Sequence, residues 1–594
     1  MICAVRIRTM ALALLLALAG LVGCASVPDE SPVQVLRRIT EGDAPILPPG
    51  PVDGSDAAEV VRGFVNASGA SSEGHEVARR FLTPEAANGW DDAAGLTVLD
   101  GQLDTVPAPG AAASATGATT IRIRGTAIGR LTSAGAFEPD QSPVQLDVDV
   151  VRLGGQWRIS ALPAGVVVPF AVFKENHRAV KIYFVDPVRR TAVADLRYLP
   201  GVPARAQSSR VLELLLGGPS GALLGAAVTQ FAAGARLRSN VAVSADGAVI
   251  VDLTRLGDLD EPGRKLLAAQ VVLSLAEVNV ARVRLLVDGE PLLPGVSYLT
   301  REDVAGLSAE VQPGADVPGL VVSGGRVRGL TGPDPGVALP GQVGNGAFDV
   351  ESAASTVDGL RLAVVVRESG RRRLLLGGGS DGGVRAAALI AGTMTRPSWT
   401  PTGGEVWTVL DSAVVARVLV NDVNTTATTA NPAGVSDPVR TGQVNAAELS
   451  ALGPIQDLRL SRDGLRVVAV IGGALYSAAV ARSTDGEVAI RNVRRLRPAD
   501  LGEVVAADWR AVESVVVITR GTQRPVAQVS VDGLSVTAVP GANLTPPLRV
   551  IAAAPSRPLV VTDSSGVWSF AGGDQDAWRP VLGGVPDAVP FYPG

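Results

Sequence analysis

Cysteine is almost missing from this chain: among 594 residues only Cys3 and Cys24 occur. A disulfide framework is thereby excluded, and so is a structural zinc site, which takes several thiolates or imidazoles. Histidine is equally scarce, with His75 and His177 alone; His75, between Gly74 and Glu76 at a helix start, reads as a surface residue, and His177 as part of a polar turn before the next strand. A zincin helix needs two histidines four residues apart around a glutamate, and this sequence has no such pair. Aromatic residues make up only 4% of the chain and the formal net charge is -5. No basic, aromatic-studded surface for stacking on nucleic acid is implied. The arginine groups Arg371, Arg372, Arg373 and Arg491, Arg494, Arg495, Arg497 are expected to be solvated strand edges and turns rather than phosphate patches.

Long apolar runs are also lacking, with one short exception at the start. Arg6 and Arg8 precede an apolar stretch over residues 10–22. A bilayer crossing takes about 20 apolar residues and the core of a secretory leader about 7 to 15, so the stretch reads as a leader. It ends in Leu21-Val22-Gly23-Cys24, which resembles the lipobox of bacterial lipoproteins. That resemblance implies a diacylglyceryl thioether on the Cys24 sulfur, cleavage between Gly23 and Cys24, and acylation of the freed amine, with palmitate as the expected acyl group. Loss of Arg6 and Arg8 with the leader takes the net charge from -5 to -7. The mature protein would then hold a single cysteine, at its very start, and lie on the extracytoplasmic face of the cell membrane.

What is abundant is Ala, Val, Leu, 68 Gly and 41 Pro, with 46% hydrophobic residues and a mean hydropathy of +0.27. So long a chain exceeds one core, and several domains are expected. Residues 24–54 carry Pro28, Pro32, Pro45, Pro48, Pro49 and Pro51 with little apolar period, the pattern of an extended stalk. Residues 55–170 read as an α+β domain. Ser55 or Asp56 caps a helix with Val60, Val61, Phe64 and Val65 on one face, and Val77, Ala78, Phe81 and Leu82 mark a second. The alternation over residues 144–150, the Gly154-Gly155 turn and residues 156–161 read as a hairpin. Helices before a curved antiparallel sheet resemble the NTF2-like cone, with Asp147 and Asp149 on its wet face.

Residues 178–300 alternate α and β. A strand over 180–185 is followed by Asp186-Pro187, a helix over 208–216 stops at Gly217-Gly218-Pro219, Asp246-Gly247 joins two strands, and a helix follows Pro262. The words Tyr183-Phe184-Val185-Asp186, Leu214-Leu215-Leu216-Gly217-Gly218-Pro219, Val251-Asp252-Leu253 and Val287-Asp288-Gly289 resemble the GerMN module of sporulation and germination proteins. Over residues 320–594 the helical period disappears, and a weak repeat places Ala354, Trp399, Leu460, Trp509 and Ala554 in register at intervals of 45, 61, 49 and 45 residues. Propeller blades take roughly 40 to 50 residues. A propeller of five blades is expected, or six if residues 320–350 contribute strands, with residues 421–438 as a polar insertion. The run over residues 377–382 fits both G-x-G-x-x-G and G-x-S-x-G, yet the β-rich stretch after it points to a hairpin loop. The acid pairs Asp91-Asp92 and Asp258-Asp260 read as loop polarity or helix capping.

Taken in order, lipobox, stalk, α+β domain, GerMN-like domain and a propeller containing Arg396-Pro397-Ser398-Trp399-Thr400-Pro401 resemble the actinobacterial lipoprotein LpqB family. The resemblance implies a non-catalytic accessory of the MtrA–MtrB two-component system that contacts the extracytoplasmic part of the MtrB sensor histidine kinase and influences envelope homeostasis and division. No catalytic residue, cofactor or metal site is expected, and no nucleic-acid partner. The alternative is a lipoprotein that binds or hydrolyses envelope glycan through the propeller mouth or the sheet of the first domain.

Overall fold

The computed structural model describes residues 49–594 apart from 71–73, 102, 111–116, 202–203, 331–335, 379–383, 421–439 and 573–576. The leader, Cys24, the stalk up to Pro48, the polar insertion and most of the Gly-rich run over residues 377–382 lie outside the described residues.

The first part opens with α1 (Ala57–Ala67). Of the two candidate caps it is Asp56 that serves: its carboxylate accepts from the Glu59 backbone N–H while the Glu59 carboxylate accepts from that of Asp56, a reciprocal capping box. The predicted second helix is shorter than its periodicity suggests, α2 (Glu76–Arg79). Leu82 leaves the helical period to bridge to Ile159 of the sheet, and it remains buried with Phe81. After α3 (Pro84–Gly89) come β1 (Leu96–Leu99), β2 (Asp104–Pro107), β3 (Ala118–Leu131), β4 (Phe137–Pro139), β5 (Pro143–Leu153), β6 (Gln156–Ala161) and β7 (Val166–Pro169). The path through the sheet is β6-β5-β3-β1-β7, with β2 and β4 also on β3. All of these pairings are antiparallel except β1 with β7. The helices cover one face, where Phe64, Phe81, Ile121, Ile123, Val148 and Val150 form the core. Asp147 and Asp149 are exposed on the other face.

A short helix, α4 (Phe170–Asn176), leads into a hairpin of ten-residue strands, β8 (His177–Asp186) and β9 (Thr191–Pro200). Then follow α5 (Ala204–Leu216), β10 (Arg236–Leu237), β11 (Ala242–Val243), β12 (Val249–Thr254), α6 (Glu261–Ala276), β13 (Val283–Val287), β14 (Glu290–Pro291) and α7 (Arg301–Val304). Parallel β12 and β13 pair through the α6 crossover. Asp260 is indeed a cap, accepting from the Gly263 N–H at 2.7 Å. Helix α6 is buried along nearly its whole length because β8 packs on it. Its two fully buried polar residues bond that strand's backbone: Ser274 Oγ accepts from the Tyr183 N–H at 2.8 Å, and Gln270 Nε2 donates to the Tyr183 carbonyl at 3.2 Å.

The remaining strands are β15 (Leu320–Ser323), β16 (Arg326–Gly329), β17 (Asp349–Ser355), β18 (Arg361–Glu368), β19 (Arg371–Gly378), β20 (Val384–Ala391), β21 (Ser398–Trp399), β22 (Glu405–Leu410), β23 (Val414–Leu419), β24 (Arg440–Gln443), β25 (Ile455–Leu460), β26 (Arg466–Ile471), β27 (Ala474–Arg482), β28 (Val488–Arg495), β29 (Val504–Ala511), β30 (Ser514–Thr519), β31 (Val526–Ser530), β32 (Val536–Val539), β33 (Val550–Ala552), β34 (Leu559–Thr562), β35 (Gly566–Phe570), β36 (Arg579–Gly583) and β37 (Val589–Phe591). From β17 to β36 they form five consecutive four-stranded antiparallel sheets, and β16-β15-β37 make a further sheet of three. The first strand of each sheet touches the first strand of the next, and β37 touches both β33 and β17, so the inner strands close into a ring. A strand from the end of the chain thus completes a sheet begun before the repeats. Between first and second strands the turns need positive φ, supplied by Gly359 at +74° and Gly464 at +67°. Strands β19 and β20 flank the Gly-rich run as antiparallel neighbours, and no helix follows it.

Candidate functional site

The β8–β9 hairpin lies where all three parts meet. On β9, Arg197 is fully buried. Its guanidinium donates to Asp195 Oδ2 at 2.7 Å, to the Ala134 carbonyl of the first part at 2.5 Å and to the Gly218 carbonyl at 2.9 Å. Asp195 is completed by the Ser220 N–H and hydroxyl. The next residue, Tyr198, packs in the core of the first part and donates its hydroxyl to Asp532 of the ring at 2.8 Å. From the ring, Arg466 donates to the Ala194 carbonyl at 2.7 Å, and Leu465 enters the core of the middle part. At the seam, Lys181 stands 3.9 Å from Glu277 and 3.8 Å from Glu310, where burial raises the Glu310 carboxyl above its ordinary range. The cavity left between the three parts, lined by Asp195, Ser220, Arg466 and Asp532, holds about 30 Å³, room for a water or two.

The centre of the ring is crossed by charge. Arg396, from the Arg-Pro-Ser-Trp-Thr-Pro stretch, donates to Asp508 Oδ2 at 3.0 Å and to the Pro590 carbonyl at 3.0 Å, linking the sheets of β21, β29 and β37. Arg459 donates to the Pro397 carbonyl at 2.7 Å, and Arg462 reaches the Pro593 and Ala553 carbonyls. Burial pushes the Asp457 carboxyl up to about 6, against the pull of Arg396. The two register tryptophans are stitched to the preceding sheet: Trp399 Nε1 donates to the Ala354 carbonyl at 3.3 Å and Trp509 Nε1 to that of Arg459 at 3.1 Å.

The ring's two faces differ. The turns after the inner strands, around Gly464 and Gly359, meet Arg189 of the hairpin and Val317 of the connecting segment. At the opposite ends of β17, β33 and β37 lies a groove of about 560 Å³, bounded by Gly324, Gly325, Asp349, Glu351, Arg367, Arg549 and Asp587. Arg367 pairs with Glu351 at 2.8 Å and Asp349 at 3.6 Å, and Arg549 with Asp587 at 2.6 Å. Exposed ion pairs of this kind are worth about 1 kcal/mol or less, so the groove's charges are held only weakly by one another.

The histidines require correction. His75, expected at the surface, is only 9% exposed, and its ring lies edge-on to Trp90 at 5.7 Å. His177, expected in a polar turn, begins β8 and stacks on Phe173 at 4.3 Å. Burial lowers both, His177 to about 4. Because the folded value lies below the ordinary 6.5, the stabilising contribution is present above pH 6.5 and is lost as pH falls toward 4. Lowering the pH from 7 to 5 should therefore remove about 2 kcal/mol through His177. A His177→Phe variant keeps the stacked ring, and its melting temperature is expected to fall less over that pH interval than the parent's; equal falls would reject the assignment.

Among the arginine groups, Arg372 and Arg373 pair with Glu351 and Glu368, and Arg491 and Arg494 with Glu448 and Glu138. Arg497 is not solvated as expected but buried, paired with Asp500 at 2.7 Å. Among the described residues no three His, Cys, Asp or Glu side chains are grouped to hold a metal ion, and no helix is long and apolar enough to cross a membrane. Neither the junction at the β8–β9 hairpin nor the groove was legible in the sequence; the one signal for the charged centre of the ring was the word beginning at Arg396.

An α+β head, a middle part with a parallel β-α-β crossover and a closed ring of small antiparallel sheets, sharing one hairpin, define a multi-domain protein with a C-terminal β-propeller. Residues 50–174 match the family model "Lipoprotein LpqB, N-terminal domain", 181–293 the model "Sporulation and spore germination", and 331–593 the model "Lipoprotein LpqB beta-propeller domain". The chain is 31% identical to lipoprotein LpqB of Rhodococcus jostii over 96% of each chain. It is 32% identical to that of Mycobacterium tuberculosis over 99% of this chain and 100% of the relative. It belongs to the lipoprotein LpqB family. A functionally unknown protein from Desulfotomaculum acetoxidans is similar over 47% of this chain and 100% of its own, at 12% identity and a TM-score of 0.30.

Proposed function

We propose that the chain is exported, cut before Cys24, held by lipid on the extracytoplasmic face of the cell membrane, and acts there as a non-catalytic accessory of an MtrB-type sensor kinase. The observation that carries this reading is the Leu21-Val22-Gly23-Cys24 end of the leader on a chain that matches lipoprotein relatives along nearly its whole length. Confining two proteins to one membrane raises their effective mutual concentration, so a weak contact suffices. The groove of the ring supplies such a contact, with Asp587 strongly exposed at its rim. Nothing in the relatives favours the glycan-binding or hydrolytic alternative.

Photocrosslinkers placed at Asp587 on the ring, Leu224 in the middle part and Arg124 on the first sheet test the reading in intact cells. Capture of the kinase's extracytoplasmic segment from Asp587 is the expected result. No capture from any of the three positions, with all three proteins displayed at the parent level, would reject the kinase role.

A further inference from the structure

Where the chain leaves its tether, one hairpin tip carries the chemistry of a lipid-facing surface. Cys24 and Pro49 are separated by the 24 residues from Ala25 to Pro48. The chain emerges at Pro49 against the turn between β5 and β6, where Gln156 Nε2 donates to the Asp53 carboxylate. Leu153 is 47% exposed at this tip and Val52 beside it 68% exposed. Gly154 and Gly155 leave open space around both backbones. Trp157 lies behind them with the Arg152 guanidinium 5.4 Å from its ring, and Arg158 donates to the Trp157 carbonyl and the Gln156 side chain. Among the described residues neither arginine is paired with a carboxylate; of the nearby acids, exposed Asp53 accepts from Gln156, and Asp56 and Glu59 are engaged in the α1 capping box.

We infer that the β5–β6 tip, together with Val52, rests on the lipid surface to which the chain is tethered. Leucine and valine enter the boundary between headgroups and acyl chains. The guanidinium groups of Arg152 and Arg158 meet lipid phosphates, with Arg152 laid over Trp157, whose ring is itself partly packed on the core of the first part. So small a patch would not hold a free protein, but the tether makes the second contact intramolecular. Resting on this end fixes the orientation of the body, and the inference depends on the lipid anchor proposed above.

The near-absence of cysteine makes the test direct. Once Cys24 is lipidated, Leu153→Cys places one free thiol at the tip, and Leu452→Cys places one at a ring position of the same 47% exposure. Each lipidated full-length variant is labelled with an environment-sensitive fluorophore and reconstituted into phosphatidylcholine–phosphatidylglycerol vesicles. Flotation reports the anchor, and iodide quenching with and without vesicles reports burial of the label. Protein that floats, with quenching at position 153 reduced at least two-fold and unchanged at 452, is the expected result. Protein that floats with equal quenching at both positions overturns the lipid contact and leaves the anchor standing. Protein that fails to float overturns the anchor, and the contact falls with it.

Discussion

Cys24→Ala is expected to move the protein from the membrane fraction to the soluble fraction and to abolish its effect on signalling, with its melting profile unchanged. On the reading proposed above, the Cys24 sulfur would carry the diacylglyceryl group, and Cys24 would be the residue before which the leader is cut. Each methylene buried in the bilayer contributes about 0.8 kcal/mol, so one chain binds marginally and two or more hold stably. Removing the thiol removes them together, and the change is close to all-or-none. Little else takes over: the apolar stretch over residues 10–22 is too short to span, and no described helix can cross. The fold should survive, because the buried core begins at Val60. Fractionation followed by mass spectrometry of the native product reads out the anchor, and circular dichroism the fold. Full signalling from the soluble form would show that the lipid has no part in function.

The sequence was most legible where a structural choice is made locally. The Asp56 and Asp260 caps and the Gly154-Gly155 and Asp246-Gly247 turns each rest on a few neighbouring residues whose backbone demands are known. Strand β9 was not legible, because Asp195 and Arg197 interrupt its apolar pattern. Their partners are Ala134, Gly218 and Ser220, and only the assembled junction makes two buried charges tolerable there. His75 misled in the opposite direction, since a polar residue flanked by Gly74 and Glu76 gives no hint that Trp90 will cover it. The three-stranded sheet was legible in part: residues 320–350 were expected to contribute strands if there were a sixth blade, and β15 and β16 lie there, but the pairing with β37 was hidden by distance, since β15 and β37 stand at opposite ends of the ring sequence. At the site, the word beginning at Arg396 was visible but its reason was not, because a guanidinium that spans three sheets has no meaning until the ring is closed.

Closing the ring is therefore where the second large effect should fall. Arg396→Met is expected to destabilise the propeller by about 3 kcal/mol, the low end for breaking a buried ion pair by removing one partner. The two side chains are 10% and 12% exposed, so little water reaches the stranded carboxylate. Asp508 would keep the Trp509 and Ala553 backbone N–H groups and the field of Arg462, whose guanidinium is held down by burial and by Arg396 and supported by Asp508. That neighbour limits the loss. Arg396 also binds the Pro590 carbonyl, so the closing strand should open first, and hydrogen exchange at residues 589–593 should accelerate more than in the sheets of β25 or β29. A double-mutant cycle with Asp508→Asn separates the pair from general damage. If the guanidinium and carboxylate stabilise each other, the double variant loses less than the sum of the two single ones. Additive losses, or a single variant within about 0.5 kcal/mol of the parent, would mean that the charges crossing the ring do not hold it shut.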